Sequence, residues 1–317
     1  MNKIIVYGLG KEFLKQRKYL ESYFDIVGYC DKQKKEMGGY LAPNELNNFE
    51  YDYIYVTSIN YYEDIKNELI KFYNVKPEKI IGKKEWLGDF ENAKEKEKWV
   101  VEKLQNIPEG SIILDAGAGE LKYAPYCKHL KYISQDFGEY NAEQDPVKIT
   151  TKNSWDTSKV SIVSDIIDMP LESESIDYIL CTEVFEHLKN PVLAVEEFSR
   201  LLKRGGKLIL TAPFCSLTHM APYYFSNGFS EFWYKEHLSD YGFQIEEIKR
   251  NGNFYKYLCQ ELLRVNDISM AYCNSEITVE ETKNIIETIK ILMKLSQKDI
   301  GSDDVLCFGY MLVAKKY

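Results

Sequence analysis

The stretch Ser111-Ile-Ile-Leu-Asp-Ala-Gly-Ala-Gly119 decides how most of the chain is interpreted. A short apolar run, Ile112 to Leu114, precedes an acidic residue and two alternate glycines. The apolar run is typical of a buried parallel strand, and the glycines predict a tight turn where the backbone approaches a ligand closely. We therefore place this turn at the mouth of a nucleoside-binding α/β sheet.

The chain has 317 residues, of which 45% are hydrophobic, and this is enough for two domains with their own cores. Its formal net charge is -9. A nucleic-acid backbone favours a basic protein face, so this charge argues against nucleic acid as a partner. We expect a small-molecule substrate instead.

The seven cysteines are scattered, odd in number and without a C-x-x-C pair. This pattern is typical of reduced thiols in a cytosolic protein rather than of a disulfide framework or a zinc site. The apolar run at the N-terminus is too short for a signal peptide, and no run reaches the ~18 apolar residues of a membrane span. The sequence predicts a cytoplasmic protein without a membrane span.

The first ninety residues contain a second glycine turn. A strand-like run, Lys3 to Tyr7, leads into Gly8-Leu9-Gly10, and a second strand ends at Asp31, an order that resembles a Rossmann dinucleotide unit. The third glycine of that pattern is replaced by Phe13, whose ring would obstruct a pyrophosphate. Two interpretations stay open, a nucleotide site and a structural or substrate-presenting domain, and we favour the second. The segment also resembles the small domain at the front of sugar-modifying enzymes in bacterial polysaccharide clusters.

A mixed-charge run, Glu91 to Lys98, predicts the helix that begins the second domain, with its charges in solvent. Five motifs follow it in order. Together they resemble a class I S-adenosylmethionine-dependent methyltransferase of the type 11 kind found in polysaccharide and sugar pathways. The motifs are Asp115 to Gly119, Gln135-Asp136, Ser164 to Ile166, Ile176 to Glu183, and Leu201 to Leu210.

The resemblance covers residues 92 to 317 and implies an α/β fold: a seven-stranded Rossmann-like methyltransferase sheet preceded by a small Rossmann-like α/β domain. We therefore divide the chain into domains 1–90 and 91–317. Two late strands, Phe243 to Lys249 and Val305 to Ala314, form a hairpin in the family. Here a helical insertion at about 256–298 separates them. Such a helical pair would build a lid or the face of a homodimer, and the sequence does not choose between them.

The resemblance also implies that S-adenosylmethionine is the cofactor. Ala116, Gly117 and Gly119 would bring backbone N–H groups at the start of a following helix toward the methionine carboxylate. Asp115 would face the methionine amine, with a turn cap as the alternative. The pattern departs from the family at Leu121, which replaces a third glycine and would narrow the pocket or shift the start of the helix.

Further cofactor contacts follow from the same resemblance. Asp136 would accept both ribose hydroxyls, because a carboxylate takes two hydrogen bonds from a diol, and Phe137 lies beside it. Asp165 would accept from the adenine amino group while Ile166 packs on the ring. The remaining cofactor-binding candidate is Glu183, at the end of the fourth strand.

Two histidines are candidates for general base. Methyl transfer is an in-line displacement from a sulfonium, so the leaving group needs no acid, but a hydroxyl acceptor must lose its proton. A histidine that titrates near neutrality suits this task. His187 is the first candidate and His219 the second. The alternative for His187 is a role in fixing the loop or lining the cofactor.

Tyr223, Tyr224 and Trp233 follow the fifth strand and are predicted to stack on a sugar, or else to form a lid that packs on itself. We predict no metal. The leading function is O-methylation of a sugar or nucleotide-activated sugar for surface polysaccharide. The alternatives are a different small acceptor (an N-acceptor or phosphorylated metabolite), a non-catalytic nucleotide-binding protein, and an oxidoreductase that uses Asp31.

Overall fold

The computed structural model describes residues 1–33, 35–147 and 156–317. The chain divides into two compact units. The first consists of Met1–Phe90 and Leu258–Asp299, and the second of Glu91–Tyr257 and Ile300–Tyr317. Each unit contains one β-sheet with helices packed against it.

The first unit contains a five-stranded sheet whose strands pair in parallel in the order β3-β2-β1-β4-β5. Strands β1 and β4 lie at its centre and are almost entirely buried. The elements are β1 (Lys3–Tyr7), α1 (Lys11–Tyr23), β2 (Asp25–Cys30), β3 (Tyr40–Leu41), β4 (Tyr53–Val56), α2 (Tyr62–Tyr73), β5 (Ile80–Ile81) and α3 (Lys83–Leu87).

The glycine turn after β1 is held by protein groups. The Asp31 carboxylate accepts the N–H of Leu9 at 2.7 Å through Oδ2 and the N–H of Gln33 at 3.0 Å through Oδ1. Phe13, at the position of the third glycine, is buried and packs edge-on against Tyr29 with ring centroids 5.7 Å apart. Asp31 and Phe13 therefore both have structural partners within this unit.

The second unit contains a mixed seven-stranded sheet in the order β11-β12-β10-β9-β6-β7-β8, which confirms the predicted strand number. Strand β12 runs antiparallel to β10 and β11, and the other pairs are parallel. The elements are α4 (Asn92–Gln105), β6 (Ile112–Ala116), β7 (Lys131–Asp136), β8 (Ile162–Val163), β9 (Ile176–Thr182), α5 (Pro191–Leu201), β10 (Leu202–Pro213), α6 (Glu231–Asp240), β11 (Phe243–Asn251) and β12 (Gly309–Lys316).

Two predictions about this sheet differ from the structure. The last strand begins at Gly309 rather than at Val305. A 3₁₀ turn, Ser302–Asp304, comes before it and leaves Val305 exposed. The structure describes all residues between β6 and β7, and none of them forms an α-helix. The chain reaches β7 through turns and one 3₁₀ turn, Ala124–Tyr126. Pro125, inside the expected helix, cannot donate a helical hydrogen bond.

The insertion between β11 and β12 forms α7 (Phe254–Ile268) and α8 (Val279–Ser296). We assigned it by sequence to the second domain, but residues 258–299 belong to the first compact unit. Cys259, Ile286 and Ile289 share a buried core with Tyr19, whose hydroxyl donates to the carbonyl of Leu263 at 2.7 Å. The helices therefore complete the core of the first unit. Within the described residues, none of the helices has the length and apolar character needed to cross a bilayer.

Candidate active site

The turn after β6 is fixed by hydrogen bonds from three consecutive amides. The N–H groups of Gly117 and Ala118 donate to the carbonyl of Gln135 at 2.9 and 2.8 Å. The N–H of Gly119 donates to Oδ2 of Asp136 at 2.9 Å. Since the acceptors lie at the end of the neighbouring strand β7, the turn is held against the carboxyl edge of the sheet, where ligands bind in open α/β folds.

Gly117 is required at its position. Its φ is +80°, and a Cβ there would lie 2.4 Å from Cγ2 of Val184. Leu121 also has a positive φ, +59°, and its N–H donates to the carbonyl of Ala118 at 2.9 Å. Leu121 thus adopts the left-handed conformation that suits the replaced glycine, at a cost of about 1–3 kcal/mol. Its hydrogen bond keeps the turn closed. Leu121 lines neither of the two cavities at this edge of the sheet.

Gln135 was not predicted as a site residue. It is buried, its Oε1 accepts from the N–H of Gly117 at 3.2 Å, and its Nε2 donates to the carbonyl of Ser164 at 2.6 Å. One amide side chain thereby joins the loops after β6 and β8. Its place beside Asp136 was its only signal in the sequence.

Asp136 has a carboxylate of fixed orientation. Besides the Gly119 contact, its Oδ1 accepts from the N–H of Gly138 at 2.9 Å, and the residue is buried. A carboxylate offers about four lone-pair sites, so each oxygen can accept one further hydrogen bond. The side chain is positioned to receive a pair of hydroxyl groups.

Asp115 is buried at the end of β6 and its Oδ2 accepts from the hydroxyl of Tyr132 at 2.5 Å. Burial raises the pKa of the Asp115 carboxyl to about 7; the Tyr132 hydrogen bond lowers it in part, and the charge of Asp136 raises it further. A cationic amine beside it would favour the ionised form. Asp115 therefore exchanges a proton near neutral pH.

Two adjoining cavities line the carboxyl edge of this sheet, of about 360 Å³ and about 590 Å³. Volumes in this range are typical of small-molecule and cofactor sites. The smaller cavity is lined by Asp115, Gly117, Gly119, Asp136 and Glu183, among others, and the larger by Asp165 and Ile166. Four residues line both: Gly117, Phe137, Val184 and His187.

The smaller cavity also contains positive charge that sequence analysis missed. Lys96 lines it and pairs with Oε2 of Glu183 at 2.6 Å, while Oε1 of Glu183 accepts from the hydroxyl of Thr211 at 3.0 Å. Lys122 lines the same cavity and pairs with Glu97. We predicted the charges of this helix to lie in solvent, but the side chain of Lys96 is only 15% exposed. Nothing in the run 91–98 distinguishes Lys96 from its neighbours.

The larger cavity has a polar and an apolar side. Asp165 is exposed and its Oδ1 accepts from the N–H of Ile167 at 3.2 Å, whereas Ile166 is buried. Phe137 packs edge-on against Tyr223, with ring centroids 4.9 Å apart. This arrangement would hold a flat heteroaromatic ring between apolar groups, with a carboxylate at its edge.

Glu186, His187 and His219 form one cluster beside the cavities. His187 and Glu186 belong to the 3₁₀ turn Phe185–His187 after β9, and His219 lies on the loop after β10. Nε2 of His187 lies 3.8 Å, and Nε2 of His219 4.0 Å, from Oε1 of Glu186. Glu186 was not predicted as a site residue, since a glutamate next to a histidine carries no distinct signal.

Burial governs the charge states in this cluster. It lowers the pKa of His187 to about 4, so the imidazole is neutral at pH 7 but does not titrate near neutrality, as its choice as general base had assumed. It raises the pKa of Glu186 well above its usual range, and the nearby charge of Glu183 adds to that rise.

The three aromatic candidates occupy different places. Tyr223 lines the larger cavity. Tyr224 lines neither cavity; its hydroxyl donates to the carbonyl of Ser216 at 2.7 Å, and its ring lies 5.1 Å from that of His219. Trp233 also lines neither and packs instead on Phe229 in the core of the unit, with centroids 4.8 Å apart. The prediction for Trp233 is therefore corrected: from its place on α6 the ring packs against the core rather than at either cavity.

Two family models match the chain. Residues 114–210 match a model described as a methyltransferase domain, and residues 1–81 match one described as C2185-like, N-terminal. The first match contains the glycine turn, Asp136, Asp165, Glu183 and His187.

Curated relatives match over a limited region. The chain is 31% identical over 114 residues to the tRNA (carboxymethyluridine(34)-5-O)-methyltransferase of Macaca fascicularis, covering 35% of this chain and 16% of that protein. It is 30% identical over 111 residues to the protein of the same name from Arabidopsis thaliana, covering 34% and 25%. The matched part is thus a quarter or less of each relative.

Among solved structures, a SAM-dependent methyltransferase from Archaeoglobus fulgidus is 19% identical with a TM-score of 0.44, covering 74% of this chain and 97% of that one. A methyltransferase structure from Bacillus halodurans C-125 is 16% identical with a TM-score of 0.40, covering 69% and 97%. The family-model match confirms, over residues 114–210, the prediction of an S-adenosylmethionine-dependent methyltransferase; the predicted bounds of that domain, 91–317, stay a prediction.

Proposed function

We propose that the protein is an S-adenosylmethionine-dependent O-methyltransferase whose acceptor is a sugar or a nucleotide-activated sugar, used in surface-polysaccharide assembly. One observation carries the proposal of a hydroxyl acceptor. His187 lines both cavities, and its Nδ1 lies 2.5 Å from the carbonyl of Tyr223. A carbonyl only accepts, so Nδ1 carries the proton and Nε2 keeps a lone pair.

The cofactor roles proposed here follow the two cavities. Asp115 and the turn Gly117–Gly119 would hold the methionine end in the smaller cavity, with Asp136 on the ribose. Asp165 and Ile166 would hold the adenine in the larger cavity. The cofactor would then cross from one cavity to the other beside His187, because that residue lines both.

The chemistry needs little from the protein beyond alignment and proton removal. The acceptor oxygen forms a bond to the methyl carbon while the sulfur–methyl bond breaks and its electron pair stays on sulfur. The hydroxyl proton leaves to a base, for which Nε2 of His187 and Nε2 of His219 are the candidates. Exclusion of water and in-line placement supply the rest.

Several features support a small polar acceptor. Tyr223 offers an aromatic face beside the cavity with a polar hydroxyl at its edge, which suits a sugar ring. The net charge of -9 opposes a polyanion. The seven free cysteines agree with a cytoplasmic location, where nucleotide-activated sugars would be methylated.

A second candidate acceptor is tRNA, because the curated relatives carry that substrate in their names. The similarity covers about a third of this chain and a smaller share of those proteins. The acidic character of the chain favours the small-molecule acceptor.

The first prediction concerns cofactor binding. Asp136→Ala should weaken binding of S-adenosylhomocysteine by at least about tenfold, since it removes both ribose acceptors and the contact that fixes Gly119. Titration calorimetry measures this. Asp168→Ala is the matched control, because Asp168 is exposed and lines neither cavity. Equal affinities in the two variants, or binding of NAD that depends on Asp31, would contradict the proposal.

The second prediction concerns pH. Asp115 has a raised pKa of about 7, so it is protonated in the free site below pH 7 and must ionise to attract the methionine amine. Affinity for S-adenosylhomocysteine should therefore rise about fivefold from pH 6 to pH 7. Asp115→Asn should bind more weakly and abolish this dependence. A pH-independent affinity in the unmodified chain would refute the role of Asp115.

The third prediction concerns the acceptor. With labelled cofactor and a panel of nucleotide-sugars, mass spectrometry should detect methyl transfer to at least one sugar and none to tRNA. Of the variants His187→Ala and His219→Ala, the one that removes the proton-accepting imidazole should lower kcat by about 10²–10⁴-fold. His237→Ala, outside the cavities, is the matched control. Transfer to tRNA alone would overturn the sugar proposal, and unchanged rates in both histidine variants would remove histidine from catalysis.

A further inference from the structure

We propose that Glu186, His187 and His219 bind a divalent first-row transition-metal ion at the edge of the cofactor cavities. One donor atom from each residue lies within 4.8 Å of the other two. Two ligand atoms that each lie ~2.1 Å from the same metal ion are about 3.0–3.4 Å apart at octahedral or tetrahedral angles. The observed 3.8 and 4.0 Å separations from Oε1 of Glu186 would close to that range with small side-chain movements.

The two imidazoles are held in the tautomer that a metal requires. Nδ1 of His187 lies 2.5 Å from the carbonyl of Tyr223, and Nδ1 of His219 lies 2.8 Å from the carbonyl of Leu217. Each Nδ1 must therefore donate, which leaves both Nε2 lone pairs directed toward Glu186. A histidine that binds a metal usually donates its second ring N–H to a carbonyl or carboxylate, and this hydrogen bond fixes the orientation of the ring.

The carboxylate supplies an independent observation. Glu186 is only 1% exposed, and its Oε2 has no hydrogen-bond partner in the structure. A buried carboxylate oxygen without a partner is costly, and burial of this kind is normally compensated by a proton, a hydrogen-bond donor or a cation. Neither histidine hydrogen-bonds to it, because the Nε2 atoms of His187 and His219 lie 3.8 and 4.0 Å from Oε1. A cation among the three donors would satisfy the carboxylate.

The cluster also spans two loops that the backbone already joins. The N–H groups of Phe225 and Ser226 donate to the carbonyl of Glu186 at 2.9 and 3.3 Å. These contacts attach the loop that carries His219 to the turn that carries His187. The donor set is therefore assembled by the fold, and the ion would add a further connection between the same two loops.

The donor chemistry selects the class of ion. Two imidazoles and one carboxylate suit manganese, iron, cobalt, nickel or zinc, whereas magnesium favours oxygen ligands and water. Three protein ligands leave coordination positions for water or a substrate oxygen. Cys215 and Cys273, the two cysteines that are not buried, are outside the cluster.

The chemical role of the ion rests on the proposed function. An acceptor hydroxyl bound to the ion would have a lowered pKa and release its proton to solvent, after which its oxygen attacks the methyl carbon as described above. An imidazole bound through Nε2 has no free lone pair. In the metal-bound site His187 and His219 are ligands and neither acts as the general base; the base role proposed above applies to the metal-free site.

The test measures binding rather than turnover. The full chain with Cys273→Ser, stripped with a chelator, is titrated with Co²⁺ by calorimetry and visible absorption. We expect one equivalent, with a spectrum that lacks cobalt–thiolate absorption. His187→Ala, His219→Ala and the isosteric Glu186→Gln should each weaken binding by at least about tenfold, whereas His237→Ala should not.

A second measurement needs no substitution. Mn²⁺ added to the unmodified chain should broaden the imidazole resonances of His187 and His219 and spare those of His129 and His237. Uniform or absent broadening, or Co²⁺ affinity that is equal in all four variants, would overturn the metal site. S-adenosylhomocysteine binding is measured in the same samples. If S-adenosylhomocysteine binds but the metal does not, this inference alone is overturned. If the metal binds but S-adenosylhomocysteine does not, the proposed function alone is overturned.

Discussion

The site depends on the hydrogen bonds that three consecutive amides, Gly117 to Gly119, donate to the end of β7. A turn with two glycines has many conformations in the unfolded chain, and fixing it costs conformational entropy. Here the acceptors are the carbonyl of Gln135 and the carboxylate of Asp136, both buried. The same contacts that order the turn also orient Asp136, so the proposed methionine and ribose contacts are set together.

Buried polar groups connect this turn to the rest of the carboxyl edge. Gln135 reaches Ser164 on one side, and Val184 limits the space over Gly117 on the other. Glu183 connects Lys96 with Thr211. Each of these groups has a specified partner, whereas Oε2 of Glu186 has none among the residues that the structure describes. This difference sets the cluster of Glu186 and the two histidines apart from the rest of the edge.

Much of the fold could be predicted because hydrophobic runs locate parallel strands. Strand β1 was predicted at Lys3–Tyr7 as it is observed, and the glycine turn and Asp136 lie together as their spacing implied. The helix predicted to follow the glycine turn does not form in these described residues. The prediction followed the family pattern and did not take Pro125 into account. The insertion was assigned to the wrong unit. The spacing of apolar residues along a helix shows that the helix has an apolar face, but it does not show which surface packs against that face.

Side-chain roles were harder to predict than elements. Lys96 resembles every other lysine in its charged run, and Glu186 resembles any acid beside a histidine. Their significance comes from long-range packing, which buries one near Glu183 and the other beside His219. Trp233 was assigned to the substrate by its type, but its place on α6 packs the partly buried ring against the core. Sequence patterns identify residue chemistry, and tertiary contacts decide which residues share a site.

The proposed function requires that the turn after β6 and the end of β7 hold the cofactor. A crystal structure of the protein grown with S-adenosylhomocysteine would test this requirement. We expect the homocysteine end at Gly117–Gly119, the ribose hydroxyls on Asp136, and the adenine against Ile166. Ligand bound only at Gly8–Gly10, or at a place that leaves Asp136 without a ligand contact, would contradict it.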